Sequence, residues 1–348
     1  MKNRLLILLS AALLASCGQT PLTPYSGFNP LVFHSYFGWS YDTAGNDISE
    51  EINEFVDLLD RLTDPYTSSS SLRTVYTLNH TNSPVVVDPL LIEILQTALD
   101  MKEKTEGYFN PFIGKVTSLW KETLFGLDGS KDPETITDEE IQAAEASAPA
   151  LIEEMNATSL IIDEAARTVQ RVGEGHIDLG GLVKGFAVEK VQQMVLEKGA
   201  VHYLINGGQS SLSLGKTSKD GPWKVNLRYS FLENENSYYL QDTDTSTSAI
   251  YEQSVKYNGK WYSHVMNPVT GIPVTDYSMA FLEGSNSALL DAFSTSCMIA
   301  GPEKTKEWAE KYDFRYALFF DAYGGAGFAK LKEESPELTA VRANDKSE

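Results

Sequence analysis

The stretch Asp178-Leu-Gly-Gly-Leu-Val-Lys-Gly-Phe-Ala-Val-Glu189 constrains this chain more than any other. A short apolar approach (Gly175 to Ile177) runs into a glycine-rich turn, a lysine, and a helix continued by Val191, Met194, Val195 and Leu196 at helical spacing. Glycines ahead of a helix let the backbone come close to a ligand, and a helix N-terminus attracts anions. A lysine in the first turn reaches a phosphate. The spacing is neither G-x-x-x-x-G-K-[ST] nor G-x-G-x-x-G. Taken alone, a plain loop-helix junction with a solvated lysine explains the stretch as well.

At 348 residues the chain has room for one large domain or two ordinary ones, and 42% apolar residues supply a sizeable core. A net charge of -20 and a pI near 4.7 exclude a nucleic-acid surface, which needs clustered Lys and Arg. Two cysteines, Cys17 and Cys297, give neither a disulfide framework nor a thiolate metal site. Lys2 and Arg4 followed by the apolar run Leu5 to Leu14 form an export signal too short to span a bilayer. Leu14-Ala-Ser-Cys17 reads as a lipobox, with cleavage before Cys17 and lipid on its sulfur; an ordinary secretory signal with an incidental cysteine is the competing account. The expected layout is a signal peptide over 1–16, a tether over 17–30, a domain over 31–330 and a charged, fraying tail over 331–348. That places the protein outside the cytoplasm, held to the membrane by lipid.

Coarse periodicity predicts a strand within Leu31 to Trp39, an amphipathic helix over Ile48 to Leu62, and a helix from Pro89 to Met101 capped by Asp88. Thr137 to Ala148 reads as an acidic surface helix. Leu160 to Ile162 and Thr168 to Val172 read as a hairpin. Gly107-Tyr108-Phe109-Asn110 suits either a flat-ring pocket or a turn capped by aromatics. Ala200 to Asn206 is a strand ending in Gly207-Gly208, where either a ligand approach or a plain turn fits.

A second informative stretch is Trp261-Tyr-Ser-His-Val-Met-Asn-Pro-Val-Thr-Gly271, a strand entering a turn with His264 at its end. In the apolar helix Ser287 to Ala300, Asp291 and Thr295 share a face at i and i+4. A buried carboxylate must be paired or bound to a metal, and hard oxygens suit Mg2+. A helix-start Asp with a back-bonded Thr is the competing account.

Together these segments resemble the ApbE family of FAD:protein FMN transferases. The resemblance is carried by Asp178-Leu-Gly-Gly-Leu-Val-Lys-Gly-Phe-Ala, Asn206-Gly-Gly, Thr247-Ser-Ala-Ile-Tyr251, Tyr262-Ser-His-Val-Met-Asn-Pro-Val-Thr-Gly271, Asp291-Ala-Phe-Ser-Thr295 and Gly107-Tyr-Phe-Asn-Pro. It implies an α+β, two-lobed fold with mixed β-sheets flanked by helices. It also implies Mg2+ held by the Gly181 carbonyl, Asp291 and Thr295. FAD, as substrate, would be held by Lys184 at the phosphates, by Asp178, by Tyr108, Phe109 and Asn110, and by backbone at Met266. Phe33 and Tyr66 resemble flavin-contacting positions. His264 is implied as general base and Lys184 as charge stabiliser. The implied reaction moves FMN to a Thr or Ser hydroxyl of an exported acceptor flavoprotein and releases AMP. The alternatives are an FAD pyrophosphatase, an FAD-binding lipoprotein and a solute-binding lipoprotein. The chain departs from the family pattern at Asn110 and Glu189, where Asp is usual, at Gln209, which takes a glycine's place, and at His34-Ser35.

Overall fold

In the computed structural model the described residues are 21–126, 129–227, 236–250, 253–274, 277–321 and 329–341. The signal segment, Cys17, Tyr251 and residues 342–348 lie outside them.

The sheet begins earlier than the sequence suggests. β1 (Thr23–Val32) pairs antiparallel with β2 (Ser35–Thr43), so residues 23–30, expected as tether, are strand. Pro24 and Pro30 fit because β1 lies at the sheet edge, where a missing N–H costs no ladder bond. The single strand expected through Phe37 is a hairpin. Its two-residue turn, Phe33–His34, has both residues at φ 54. A left-handed conformation costs a bulky residue about 1 kcal/mol. The Phe33 N–H donates to Asp60 Oδ1 at 2.7 Å and the Phe33 ring packs edge-on against Phe37, which holds the turn.

α1 (Ser49–Thr63) buries Ile52, Val56, Leu59 and Leu62 on one face. α2 (Val75–Asn79) and β3 (Val85–Val86) lead to α3 (Pro89–Lys104), whose cap Asp88 accepts from Leu90 N at 2.9 Å, as the sequence indicates. α4 (Gly114–Phe125) precedes α5 (Asp138–Asn156), which starts at a Thr137–Glu140 capping box and continues through Pro149 beyond its expected end. β4 (Ser159–Asp163) and β5 (Thr168–Val172) form the expected hairpin, completed by β3 into a small sheet. Then come α6 (Val183–Glu197), β6 (His202–Gly207), β7 (Ser211–Leu214), the hairpin β8 (Trp223–Leu227) and β9 (Asn236–Leu240), β10 (Thr243–Ala249), and the hairpin β11 (Ser254–Tyr257) and β12 (Lys260–Ser263). β13 (Met279–Gly284), α7 (Ser287–Ala300), α8 (Pro302–Tyr312), β14 (Arg315–Asp321), β15 (Ala329–Glu334) and α9 (Pro336–Val341) complete the chain.

The main sheet has the order β1-β2-β6-β7-β10-β13-β14-β15. The α+β class is as expected. Every ladder among the described residues is antiparallel rather than mixed, and parallel pairing is confined to the bridges Ile113–His176 and His202–Lys216. α6 and α7 cover one face. The other is covered by the β8–β9 hairpin and α9, through Tyr238 on Phe281 and the fully buried Leu338. Burial on both sides explains the apolar run of β13 and the apolar circumference of α7. A further cluster joins α4, α5 and the β11–β12 hairpin through Trp120, Tyr262 and Met266. The charged tail does not simply fray from residue 331: β15 pairs with β14, and α9 docks behind it.

Candidate active site

The site grows from the start of α6. The Asp178 N–H donates to Pro111 O at 2.8 Å, and Asp178 Oδ1 accepts from Gly180 N at 2.8 Å, which shapes the glycine turn. Lys184 stands in the first turn of α6. No carboxylate pairs with it among the described residues. The β6–β7 turn closes over it. A side chain at Gly208, φ +65, would come within 2.6 Å of Ser35 Oγ and 3.6 Å of Lys184 Cδ. The hairpin tip of β1–β2 and the β6–β7 turn therefore meet at Lys184. Gln209 adopts φ 65, the left-handed conformation that glycine would take there without cost.

α7 supplies the second half. A Cβ on Gly185 would fall 2.3 Å from Ser287 O and 2.5 Å from Asp291 Cβ, so α6 and α7 touch backbone to backbone here. The Gly185 N–H donates to Asp291 Oδ2 at 2.9 Å. Asp291 Oδ1 accepts from Ser246 Oγ at 3.0 Å and Ser211 Oγ at 3.2 Å. Thr295 Oγ1 is 2.8 Å from Ser248 Oγ. Gly181 faces the same spot, because a Cβ there would sit 3.8 Å from Thr295 Oγ1 and 3.6 Å from the Phe109 ring. Gly181, Asp291, Thr295, Lys184 and Phe109 are thus brought together.

The other sequence-derived residues lie around this centre or away from it. Asp178 and Tyr66 line a small pocket with Asn79, Ser118 and His176. Burial pushes the His176 imidazole down to about 4, so it is neutral there. Tyr66 is exposed, with Lys121 Nζ 4.1 Å above its ring and His34 edge-on at 6.3 Å. Two of the expected flavin contacts also have partners within the fold. Asn110 is buried and its Oδ1 accepts from Phe112 N at 3.1 Å, closing its own turn. Tyr108 packs edge-on against Trp308. Phe33 is buried against Phe37, and the Met266 side chain packs in the cluster with Trp120. His264 is exposed at the end of β12, its Nδ1 3.1 Å from Gln253 O. A proton on Nδ1 donated to that carbonyl puts the basic lone pair on Nε2.

Sequence reasoning missed Ser211, Ser246 and Ser248, and the packing role of Gly185. The available signal was the alternation Asp244-Thr-Ser-Thr-Ser248, which sends a polar group every second residue to the face under α7.

One further group of that row matters for stability. Asp244 is 1% exposed, and burial pushes its carboxyl up from 3.8 to about 6, against the lowering effect of Ser213 and Ser287. A carboxyl that holds its proton more tightly when folded loses stability as pH rises from about 4 to about 6, with the full deficit above that. Asp244→Asn is therefore expected to raise unfolding free energy at pH 7.5 by about 3 kcal/mol, and most of the gain should be gone by pH 4. Denaturant melts at the two pH values check this; equal stability of the two proteins at pH 7.5 would count against a strained carboxylate.

This is an antiparallel α+β protein whose lysine-bearing helix start abuts a buried carboxylate–hydroxyl cluster. A profile of the ApbE family matches residues 33–320, and the chain belongs to the ApbE family. A relative from Treponema pallidum, named FAD:protein FMN transferase, is 28% identical over 253 residues, covering 68% of this chain and 67% of that protein. One from Salmonella typhimurium with the same name is 25% identical over 363 aligned positions, covering 99% and 98%. The fold matches the flavinyl transferase ApbE of Pseudomonas stutzeri, apo form, with a TM-score of 0.72 at 19% identity, covering 92% of this chain and 97% of that one. It matches the Vibrio cholerae flavin transferase ApbE with a TM-score of 0.70 at 20% identity, covering 92% and 100%.

Proposed function

We propose that this protein transfers FMN from FAD to a Thr or Ser hydroxyl of an exported acceptor flavoprotein, releasing AMP, with Mg2+ at Gly181, Asp291 and Thr295. Family membership makes it a flavin transferase. The observation that carries the finer reading is the meeting of Gly181, Asp291 and Thr295, from two distant segments, beside Lys184. Among the described residues no three His, Cys, Asp or Glu come together. One carboxylate, one hydroxyl and one backbone carbonyl nevertheless suit Mg2+, which takes few protein ligands and completes its shell with water and phosphate oxygens. When bound, the cation would neutralise charge on phosphate oxygens.

The chain's own groups do the rest. Lys184 and the α6 N-terminus hold the pyrophosphate charge and fix the phosphorus for in-line attack. His264 Nε2 accepts the proton of the acceptor hydroxyl as the new P–O bond forms and the bond to AMP breaks. A lipid on Cys17 would keep the enzyme at the outer side of the cytoplasmic membrane.

The test is incubation with FAD, Mg2+ and candidate exported acceptors, followed by denaturation and mass measurement. FMN retained on the acceptor supports transfer. AMP with free FMN only would indicate a pyrophosphatase, and FAD recovered intact would indicate a binding protein. His264→Ala is expected to keep FAD affinity while slowing transfer at least about 100-fold. Transfer at the wild-type rate would remove His264 as the base.

A further inference from the structure

Three serines on the face of the main sheet beneath α7, Ser211, Ser246 and Ser248, and a fourth on α7 itself, Ser294, form a polar seam in the helix–sheet layer. Ser211, Ser246 and Ser294 are fully buried, and Leu290, Phe293 and Leu282 lie in the same helix–sheet layer. Ser211 and Ser246 are directly opposite each other in the β7–β10 ladder. Buried hydroxyls cost free energy unless their hydrogen bonds are made, so their partners show what they serve.

Those partners are the two side chains assigned above to the cation. Asp291 has about four acceptor positions on its two oxygens. Two donors occupy Oδ1, Ser246 and Ser211. One donor, Gly185 N, occupies Oδ2. The position left over is on Oδ2. Thr295 is treated differently. Ser294 Oγ donates to the Asp291 carbonyl at 2.9 Å, and a carbonyl only accepts. Ser294 has then spent its proton, so at 2.7 Å it accepts from Ser248. Ser248 has spent its own, so at 2.8 Å it accepts from Thr295. The chain Thr295→Ser248→Ser294→Asp291 C=O has one direction, and it draws the Thr295 proton away from the cleft. The Thr295 oxygen is left with lone pairs to offer.

We propose that Ser246 and Ser248, backed by Ser211 and Ser294, are positioning residues that prepare Asp291 and Thr295 for a divalent cation before it arrives. Asp291 presents a single oxygen, Oδ2, and Thr295 presents a lone pair rather than its proton. This rests on the cation reading above and adds to it the groups that orient the ligands.

The test uses Mn2+ alone as probe, titrated into the metal-free protein without FAD and followed by electron paramagnetic resonance. Threonine and valine match in shape, and both suit a strand, so Ser246→Thr and Ser246→Val differ chiefly in the hydroxyl; Ser248→Thr and Ser248→Val form a second pair. The valine variants are expected to weaken Mn2+ binding about 10- to 100-fold, while the threonine variants stay close to wild type. Equal affinity within each pair overturns the inference. Should the added methyl prevent folding, Ser211→Ala and Ser294→Ala remove hydroxyls without adding bulk. Each is expected to weaken Mn2+ binding measurably, and unchanged affinity in both overturns the inference. Wild-type protein that fails to bind Mn2+ would overturn the cation reading itself, an outcome distinct from either.

Discussion

Gly185→Ala is expected to lose stability and cation affinity together. The added methyl would sit 2.3 Å from Ser287 O and 2.5 Å from Asp291 Cβ. Neither obstacle is the end of a flexible chain, so α6 and α7 must part. Overpacking of this kind costs about 1–3 kcal/mol. Parting also stretches the 2.9 Å bond from Gly185 N to Asp291 Oδ2, a bond to a charged group with a net contribution of about 1.5–3 kcal/mol. The two losses share one displacement and will not add fully. We expect about 3 kcal/mol in denaturant unfolding, with Mn2+ binding too weak to measure by titration. A variant with wild-type stability and metal affinity would show that the helices are not in backbone contact here.

Asp291→Asn separates charge from packing. The amide fills the same space, its oxygen can accept from Gly185 N, and its nitrogen can donate to the Ser211 and Ser246 hydroxyls. The fold should therefore survive with little change in unfolding free energy. The negative charge is lost, and with it the electrostatic reason for a divalent cation to remain. AMP formation from FAD is expected to fall at least about 100-fold, and the residue of activity should no longer respond to chelator. Measuring AMP release with and without EDTA checks this. A variant that keeps chelator-sensitive activity would move the cation elsewhere.

The parts of the fold that depend on local pattern could be read in advance. α1, α3 and α6 follow apolar spacing, and Asp88 caps α3 as its position before Pro89 suggests. The parts that depend on distant partners could not. The Phe33–His34 turn runs against local propensity and is held by Asp60, 27 residues away. Pro24 and Pro30 look like linker residues unless β1 is known to be an edge strand. The charged segment after Lys330 gives no sign that β14 lies ready to pair with it. In the site, Lys184, Asp291 and Thr295 stood out because charge and hydroxyl interrupt a glycine turn and an apolar helix. The serines beneath them did not, since only the β7–β10 register brings Ser211 opposite Ser246. The bond that Asn110 makes within its own turn was equally invisible in the sequence, because a polar residue in a motif-like turn can serve the turn as well as a ligand.

β1 fixes a direction as well as an edge. It starts at Thr23 and runs ten residues to the hairpin tip, whose Ser35 abuts Gly208 beside Lys184. At about 3.3 Å per residue the chain's point of entry stands about 30 Å from that tip. Were the protein moored through Cys17, β1 would set the tip beside Lys184 about one strand length beyond the strand's start.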